Sequence, residues 1–350
     1  MPVPVEVETV DGLWEWTVLA EGEKGPDGVG PPLAYDGTWL VTAGFMDTVF
    51  VTKEGGTRSV LHEMPEDTVE WLLDDGYLAN GRWVLVQHEG EREGDYQIWL
   101  YDLESREREL IEEFDGTPYR HAVPQLSLDG DRLAWNTSLD DGRTCVRIRN
   151  LVDGSTFEAV CSADELETIS WPSLQWPVLT YSTEPSLPPK DQAEAEAACL
   201  QVWQLNLPDG EPRLLEVEPC WGFQGAGDQS LAVWFEMEPL EGDVFRSPIY
   251  GRDSSGVTYL LGLGEVGSAR VCQGRAIWNT QLPGSDEIRS WAPGQPVTVI
   301  YRPPADGSWG ATAAPSCADG WIATDRAYSG VGPSADQVIA ARLPEHGGTR

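Results

Sequence analysis

The sequence predicts an all-β chain: a seven-bladed β-propeller of four-stranded antiparallel blades. Three observations carry that prediction. Arg132–Leu139 reads RLAWNTSL, and Arg275–Leu282 reads RAIWNTQL. A turn that opens an apolar run recurs at Asp36, Asn80, Asp129, Gln175, Asp228, Gln273 and Asp319, so successive starts lie 44, 49, 46, 53, 45 and 46 residues apart. The 350 residues include 37 Gly, 26 Pro and 16 Trp and show no helical periodicity, a balance that suits short strands and many turns.

Each unit contains the same parts. An apolar run such as AVPQLSL is followed by the tight turn and then by a second strand such as RLAWN. A third strand follows a variable loop, as in YQIWLYDL, TCVRIRNL or CLQVWQLNL, and a Gly-containing turn leads to a fourth, as in STFEAV or PRLLEVE. Four strands in roughly 45 residues is the signature of a propeller blade. A blade is packed on both faces, so its strands are apolar on both sides. Leu133 and Trp135 are therefore expected to face one neighbour and Ala134 the other.

The blades are expected to start near residues 29, 68, 121, 168, 220, 268 and 312, in one domain spanning 1–350. After DQVIAARL the last unit lacks a fourth run, whereas LWEWTVLAEG near the start belongs to no unit. An open sheet edge is a liability. The N-terminal strand, residues 13–21 with Trp14 and Trp16, is expected to supply the missing edge and close the ring.

The DG turn before an apolar strand, followed by IWLYDLESRERELIEE, resembles the TolB-like and WD-repeat propeller superfamily over almost the whole chain. The resemblance implies the fold and little about function, since that fold hosts scaffolds, binders, lyases and peptidase accessory domains. The third strands lack the WD dipeptide, and no G-x-S-x-G elbow is present for a peptidase nucleophile.

The formal charge of −35 argues against nucleic acid and anionic membranes as partners and suits a polar or cationic small molecule, peptide or protein. Acidity also keeps a Trp-rich surface soluble. No run of about 18 apolar residues suggests a membrane span. The first residues lack the charged and apolar regions of a signal peptide, so a cytoplasmic location is expected unless a signal has been removed and the cysteines are bridged.

Cys145 and Cys161 flank one third-to-fourth-strand turn, and Cys199 and Cys220 flank the next, so each pair is a candidate disulfide. Cys272 and Cys317, at the ends of adjacent first strands, are expected to be free. No zinc spacing occurs, and no metal or cofactor is expected.

Ligands usually meet a propeller on the face that gathers its fourth-to-first and second-to-third loops. The densest polar group there is Tyr119, Arg120 and His121, where a histidine beside an arginine offers a base and an oxyanion clamp. Ion pairing within an acidic surface is the competing reading. Asn136 and Asn279 end second strands, with Glu236, Asp325 and His88 close to the same level, and Asp325-Arg326 is an adjacent pair of opposite charge that could orient a polar ligand. Each is a candidate for a polar rim or for satisfying loop backbone. Trp171 and Trp221 stand in the ligand-face loops, while Trp83, Trp135, Trp234 and Trp278 read as core. The long segment 183–198 is expected to form a lid or docking element. Two functions stay open. One is a non-catalytic binding module using the channel mouth and an acidic face. The other is an enzyme of specialised metabolism or carbohydrate processing, with His121, Arg120 and Asp325 or Glu236 at the channel.

Overall fold

The computed structural model describes residues 4–23, 31–43, 48–62, 77–89, 96–114, 124–186, 199–215, 221–236, 246–280, 287–304, 309–311, 314–328 and 335–344. Every regular element among them is a β-strand, and no helix among them is long and apolar enough to cross a membrane. The strands form seven antiparallel blades, spanning residues 32–62, 77–114, 126–161, 167–214, 222–265, 270–301 and 316–342. They are numbered one to seven below.

The recurring turn has a local cause. The Asp36 carboxylate accepts the backbone N–H groups of Thr38 and Trp39, both at 2.6 Å. Asn80 receives Arg82 and Trp83 in the same way at 3.0 and 2.9 Å, and Asp228 receives Ser230 and Leu231 at 2.7 and 3.0 Å. A short side-chain oxygen thus folds the chain back before the second strand begins. In Asp36-Gly37 the glycine has φ of 91°, which a side chain would resist.

Packing between blades then makes the ring. Leu133 and Trp135 pack with Trp83, Leu85 and Ile98 of blade two. Ala134, between them, packs with Ile169, Leu179 and Tyr181 of blade four. Blades five and six share Val233, Phe235, Trp278 and Trp291. Blades six and seven share Ile277, Ile300, Ile322 and Ile339. Trp83, Trp135 and Trp278 are buried in these interfaces, and Trp234 is buried between blades four and five. Blade seven meets blade one through an edge-on contact between Trp321 and Tyr35, with ring centroids 5.0 Å apart.

The N-terminal strand Thr17–Glu23 pairs antiparallel with Ala335–Arg342 and closes blade seven. Pairing starts at Thr17, not at residue 13, because the residues before it are occupied elsewhere. The Trp14 N–H and the Trp16 indole N–H both donate to the Ile300 carbonyl, at 2.9 and 3.1 Å. Further upstream the chain does more than expected. Thr9–Asp11 adds a parallel fifth strand to blade six, and Val5–Glu6 adds one to blade five. Arg302 fixes this lacing by joining Asp11 at 2.9 Å to the buried Glu287 at 2.8 Å. The guanidinium beside Asp11 holds that carboxyl below its usual range.

Candidate functional site

In each blade the first strand runs away from one face and the second returns to it. That face is termed the rim. The opposite one, carrying the Asp36-type turns, is termed the turn face.

The most unusual backbone lies on the rim side of blades four and five. The first strand of blade four, Glu167–Gln175, bulges between Ser170 and Ser173. The first strand of blade five, Gly222–Gly227, bulges between Phe223 and Gly225. The bulged residues Trp171 and Gln224 have φ of 52° and 41°. A bulky side chain in that region is strained, and bulges on inner strands re-aim side chains beside sites.

A relay across two blades holds Trp171. Asn136, ending the second strand of blade three, is buried. Its side-chain oxygen accepts the Gln125 N–H at 2.6 Å, and its amide donates to the Ile169 carbonyl at 3.2 Å. The Gln125 side-chain oxygen in turn accepts the Trp171 N–H. The Trp171 ring meets Phe223 edge-on at 5.8 Å. Asn136 is thus placed to position Trp171, with both ends of its amide engaged by protein.

Behind this aromatic pair, the seam between blades four and five is polar. Thr180, Ser182 and Glu184 alternate along the second strand of blade four, Val178–Pro185. The glycines of blade five let the strands approach closely: a Cβ on Gly225 would sit 2.5 Å from Val202 Cγ1 and 2.8 Å from Thr180 Cγ2. Ser170, Thr180 and Ser182 are almost fully buried, and the hydroxyls of Thr180 and Ser182 have no hydrogen-bond partner among the described residues. From blade five, Trp234 and Glu236 lie on one face of the strand Leu231–Glu236, and the indole N–H donates to the Glu236 carboxylate at 3.2 Å. Trp234 packs with Val202 of blade four, so Glu236 faces the same seam. Burial pushes the Glu184 carboxyl above its usual range. Two carboxyls therefore flank one seam.

Other expected residues are distributed differently. Tyr119, Arg120 and His121 lie outside the described residues, as do the side chain of His88 and residues 187–198 of the expected lid. Trp221 is half-buried and forms a parallel bridge with Leu200, at the entrance to the same seam. Asn279 is buried in blade six, where its N–H donates to the Ser268 hydroxyl at 3.1 Å. Asp325 is half-buried on Trp321–Tyr328, opposite Val338. Arg326 donates to the Gln337 side-chain oxygen at 2.9 and 2.6 Å, and Gln337 donates to Glu21 of the closing strand at 2.7 Å. That row crosses blade seven outward, away from Trp171. Gln125, Phe223, Gln224 and Glu184 were not expected from sequence. Their roles depend on contacts between blades.

The cysteines include one correction. Cys145 and Cys161 face each other across the two strands and are joined, with Cα atoms 4.0 Å apart, as the turn between them suggests. Cys199 is also disulfide-bonded, while its expected mate Cys220 lies outside the described residues. Cys272 and Cys317, expected to be free, form a bridge with Cα atoms 6.2 Å apart. Equivalent places on neighbouring inner strands bring them together, which pairing within single hairpins cannot reveal.

No protein-family model and no curated protein sequence matches the chain. Solved structures do match it. The β-propeller domain of the Trilobed protease from Pyrococcus furiosus aligns with TM-score 0.56 at 13% identity, over 86% of this chain and 92% of that one. The fold is a seven-bladed β-propeller. An oligogalacturonate lyase solved in complex with manganese aligns with TM-score 0.54 at 11% identity, over 97% of this chain and 99% of that one. TolB from Acinetobacter baumannii is matched with TM-score 0.43 at 11% identity, over 70% of this chain. The chain spans 57% of that TolB. At such identities the likeness concerns fold alone.

Proposed function

We propose that this propeller is a binding module whose rim, at the junction of blades four and five, takes a polar or cationic small molecule or peptide. The observation that carries this reading is Trp171, held in a left-handed conformation by the Asn136–Gln125 relay and set edge-on to Phe223. Strain of this kind persists only where the surroundings over-determine it, and it clusters at ligand sites. Two aromatic rings supply stacking area. Glu184 and Glu236, behind them, suit an amine more than an anion. The residues proposed to bind are Trp171, Trp221, Phe223, Glu236 and Glu184, with Asn136 positioning.

A second reading, an enzyme of carbohydrate processing, is supported by one feature: Glu184 has its pKa raised by burial, in a seam shared with Glu236. A carboxyl whose pKa is raised is suited to an acid role. The binding reading is preferred because it needs only shape and charge.

The test is a thermal-shift and calorimetric screen of amines, short peptides and oligosaccharides on wild type, Trp171→Ala and His121→Ala. The binding reading expects a hit that is recovered unchanged after incubation and loses about tenfold or more in affinity in Trp171→Ala, the scale of one stacked ring. Equal affinity in that variant removes the rim from the reading. Turnover of the hit that His121→Ala abolishes replaces binding with catalysis.

The bridged cysteines support an oxidising compartment over the cytoplasm expected from the first residues. Labelling of cysteines in cells, before lysis, tests that location.

A further inference from the structure

The turn face carries a shallow, largely open depression of about 420 Å³, bounded by the first-to-second-strand turns of blades three to six. That volume suits a small organic molecule. Its walls come from opposite sides: Asp129 from blade three and Asp228 from blade five, with Trp176 of blade four between them and Gln273 of blade six beside Asp228.

The turns are tied together at one repeat's distance. The Trp176 N–H donates to Asp129 Oδ2 at 2.7 Å, and the Gly274 N–H donates to Asp228 Oδ2 at 2.8 Å. Asp228 Oδ1 accepts three more bonds, from the N–H and hydroxyl of Ser230 and from the Leu231 N–H. These bonds fix both carboxylates where they stand. The cavity is therefore preformed, and a ligand does not have to order it.

The electrostatics are one-sided. Both charged groups that line the cavity are acids. The neighbouring cation, Arg132, lies over the Trp176 ring at 3.8 Å from its centroid, so this indole already serves as a platform for positive charge. Trp176 remains 37% exposed. Burial raises the Asp129 pKa, with the Trp176 N–H and Arg132 only partly compensating, so a further cation would relieve that carboxylate.

A bare metal ion fits poorly. A hard cation wants six to eight oxygens at close range, whereas here the carboxylates stand on different blades with an indole between them, and Asp228 Oδ1 already has three donors. Ammonium groups at Asp129 and at Asp228 Oδ2, which has a single donor among the described residues, can be joined by methylenes along the exposed part of the indole beside Arg132.

We propose that the turn face of this propeller holds a small organic diamine between Asp129 and Asp228, with its chain on Trp176. This site is distinct from the rim and goes beyond the reading given for it.

The probe is 1,4-diaminobutane, titrated calorimetrically at low salt, with 1,4-butanediol as its uncharged counterpart. Asp129→Asn keeps the shape and an acceptor for the Trp176 N–H but removes the charge. Gln273→Lys places a competing cation at the edge of the cavity, on an exposed turn. The diamine is expected to bind wild type while the diol does not. Asp129→Asn is expected to weaken it about tenfold, as the loss of one charge-assisted hydrogen bond implies, and Gln273→Lys to abolish it. Folding of each variant is checked by its melting curve. Absence of diamine binding to the folded wild type overturns the proposal. So does equal binding to wild type and both variants, which would mean amine condensing on a surface of net charge −35.

Discussion

Replacing Trp16 by alanine tests how the ring is closed. Trp16 is half-buried at the junction of blades six and seven, in the segment that joins the strand on blade six to the strand on blade seven. Its indole donates to the Ile300 carbonyl at 3.1 Å and meets the Tyr301 ring edge-on at 5.5 Å. The hydrogen bond is worth about 1 kcal/mol, the ring contact about 1 kcal/mol, and the half-buried apolar surface about 2 kcal/mol at 25 cal/mol per Å². The expected loss is therefore about 3–4 kcal/mol.

Unfolding entropy is about 2.1 cal/mol/K per residue, so over 350 residues each kcal/mol moves the melting temperature by about 1.4 °C. Trp16→Ala should melt about 5 °C lower by scanning calorimetry. Leu13, three residues earlier, is 59% exposed, and Leu13→Ala should stay within about 1 °C of wild type, as surface changes do. Deleting residues up to Ala20 removes the added strands on blades five and six and over half of the closing strand, so it should cost more than the point change. Wild-type melting of Trp16→Ala, or an equal cost for Leu13→Ala, refutes closure by this segment.

Three more predictions concern the interior. Maleimide labelling in denaturant without reductant should leave Cys272 and Cys317 unmodified, and intact mass should rise by two hydrogens per bridge on reduction. Label at either residue removes the link between blades six and seven. In the chain-entropy view that link, closing 45 residues, contributes about 4 kcal/mol. Asn136→Ala leaves the Gln125 N–H and the Ile169 carbonyl without their partner, a cost of about 2–4 kcal/mol. The ¹⁹F resonance of fluorotryptophan at position 171 should broaden or shift, and an unmoved resonance means the relay does not position that ring. Glu184→Gln should stabilise the protein near neutral pH and lose that advantage in acid. The folded carboxyl has its pKa raised by burial, so native Glu184 favours folding below the unfolded carboxylate range and loses this as pH rises through the folded value. A Gln gain that is equal at about pH 4 and pH 7 would show that Glu184 ionises freely.

What could be read from the sequence was whatever the chain does within one hairpin. The Asp36-type turns are local hydrogen bonds, and the two faces of Leu133-Ala134-Trp135 follow from strand alternation. Cys145 opposite Cys161 follows from one turn. The parts missed are contacts between blades, and these share a measure. Gln125 reaches Trp171 across 46 residues, Asp129 reaches Trp176 across 47, Asp228 reaches Gly274 across 46, and Cys272 reaches Cys317 across 45. Trp83 donates to Asp131 across 48, at 2.7 Å. Each is one repeat length. A propeller thus has its own neighbour rule, as a helix has i to i+4, because equivalent positions on successive blades stand side by side around the channel. Under that rule the cysteines at 272 and 317 are natural mates. Asn136 still looks like a rim ligand until the residues one blade away are placed beside it. Its buried amide serves Gln125 in its own blade and Ile169 in the next, and only through them does a polar residue at a strand end come to hold a tryptophan at the rim. The same rule accounts for the cavity on the turn face. Repeated acidic and amide residues, each needed locally to start a strand, are brought together there, so that Asp129, Asp228 and Gln273 line one space.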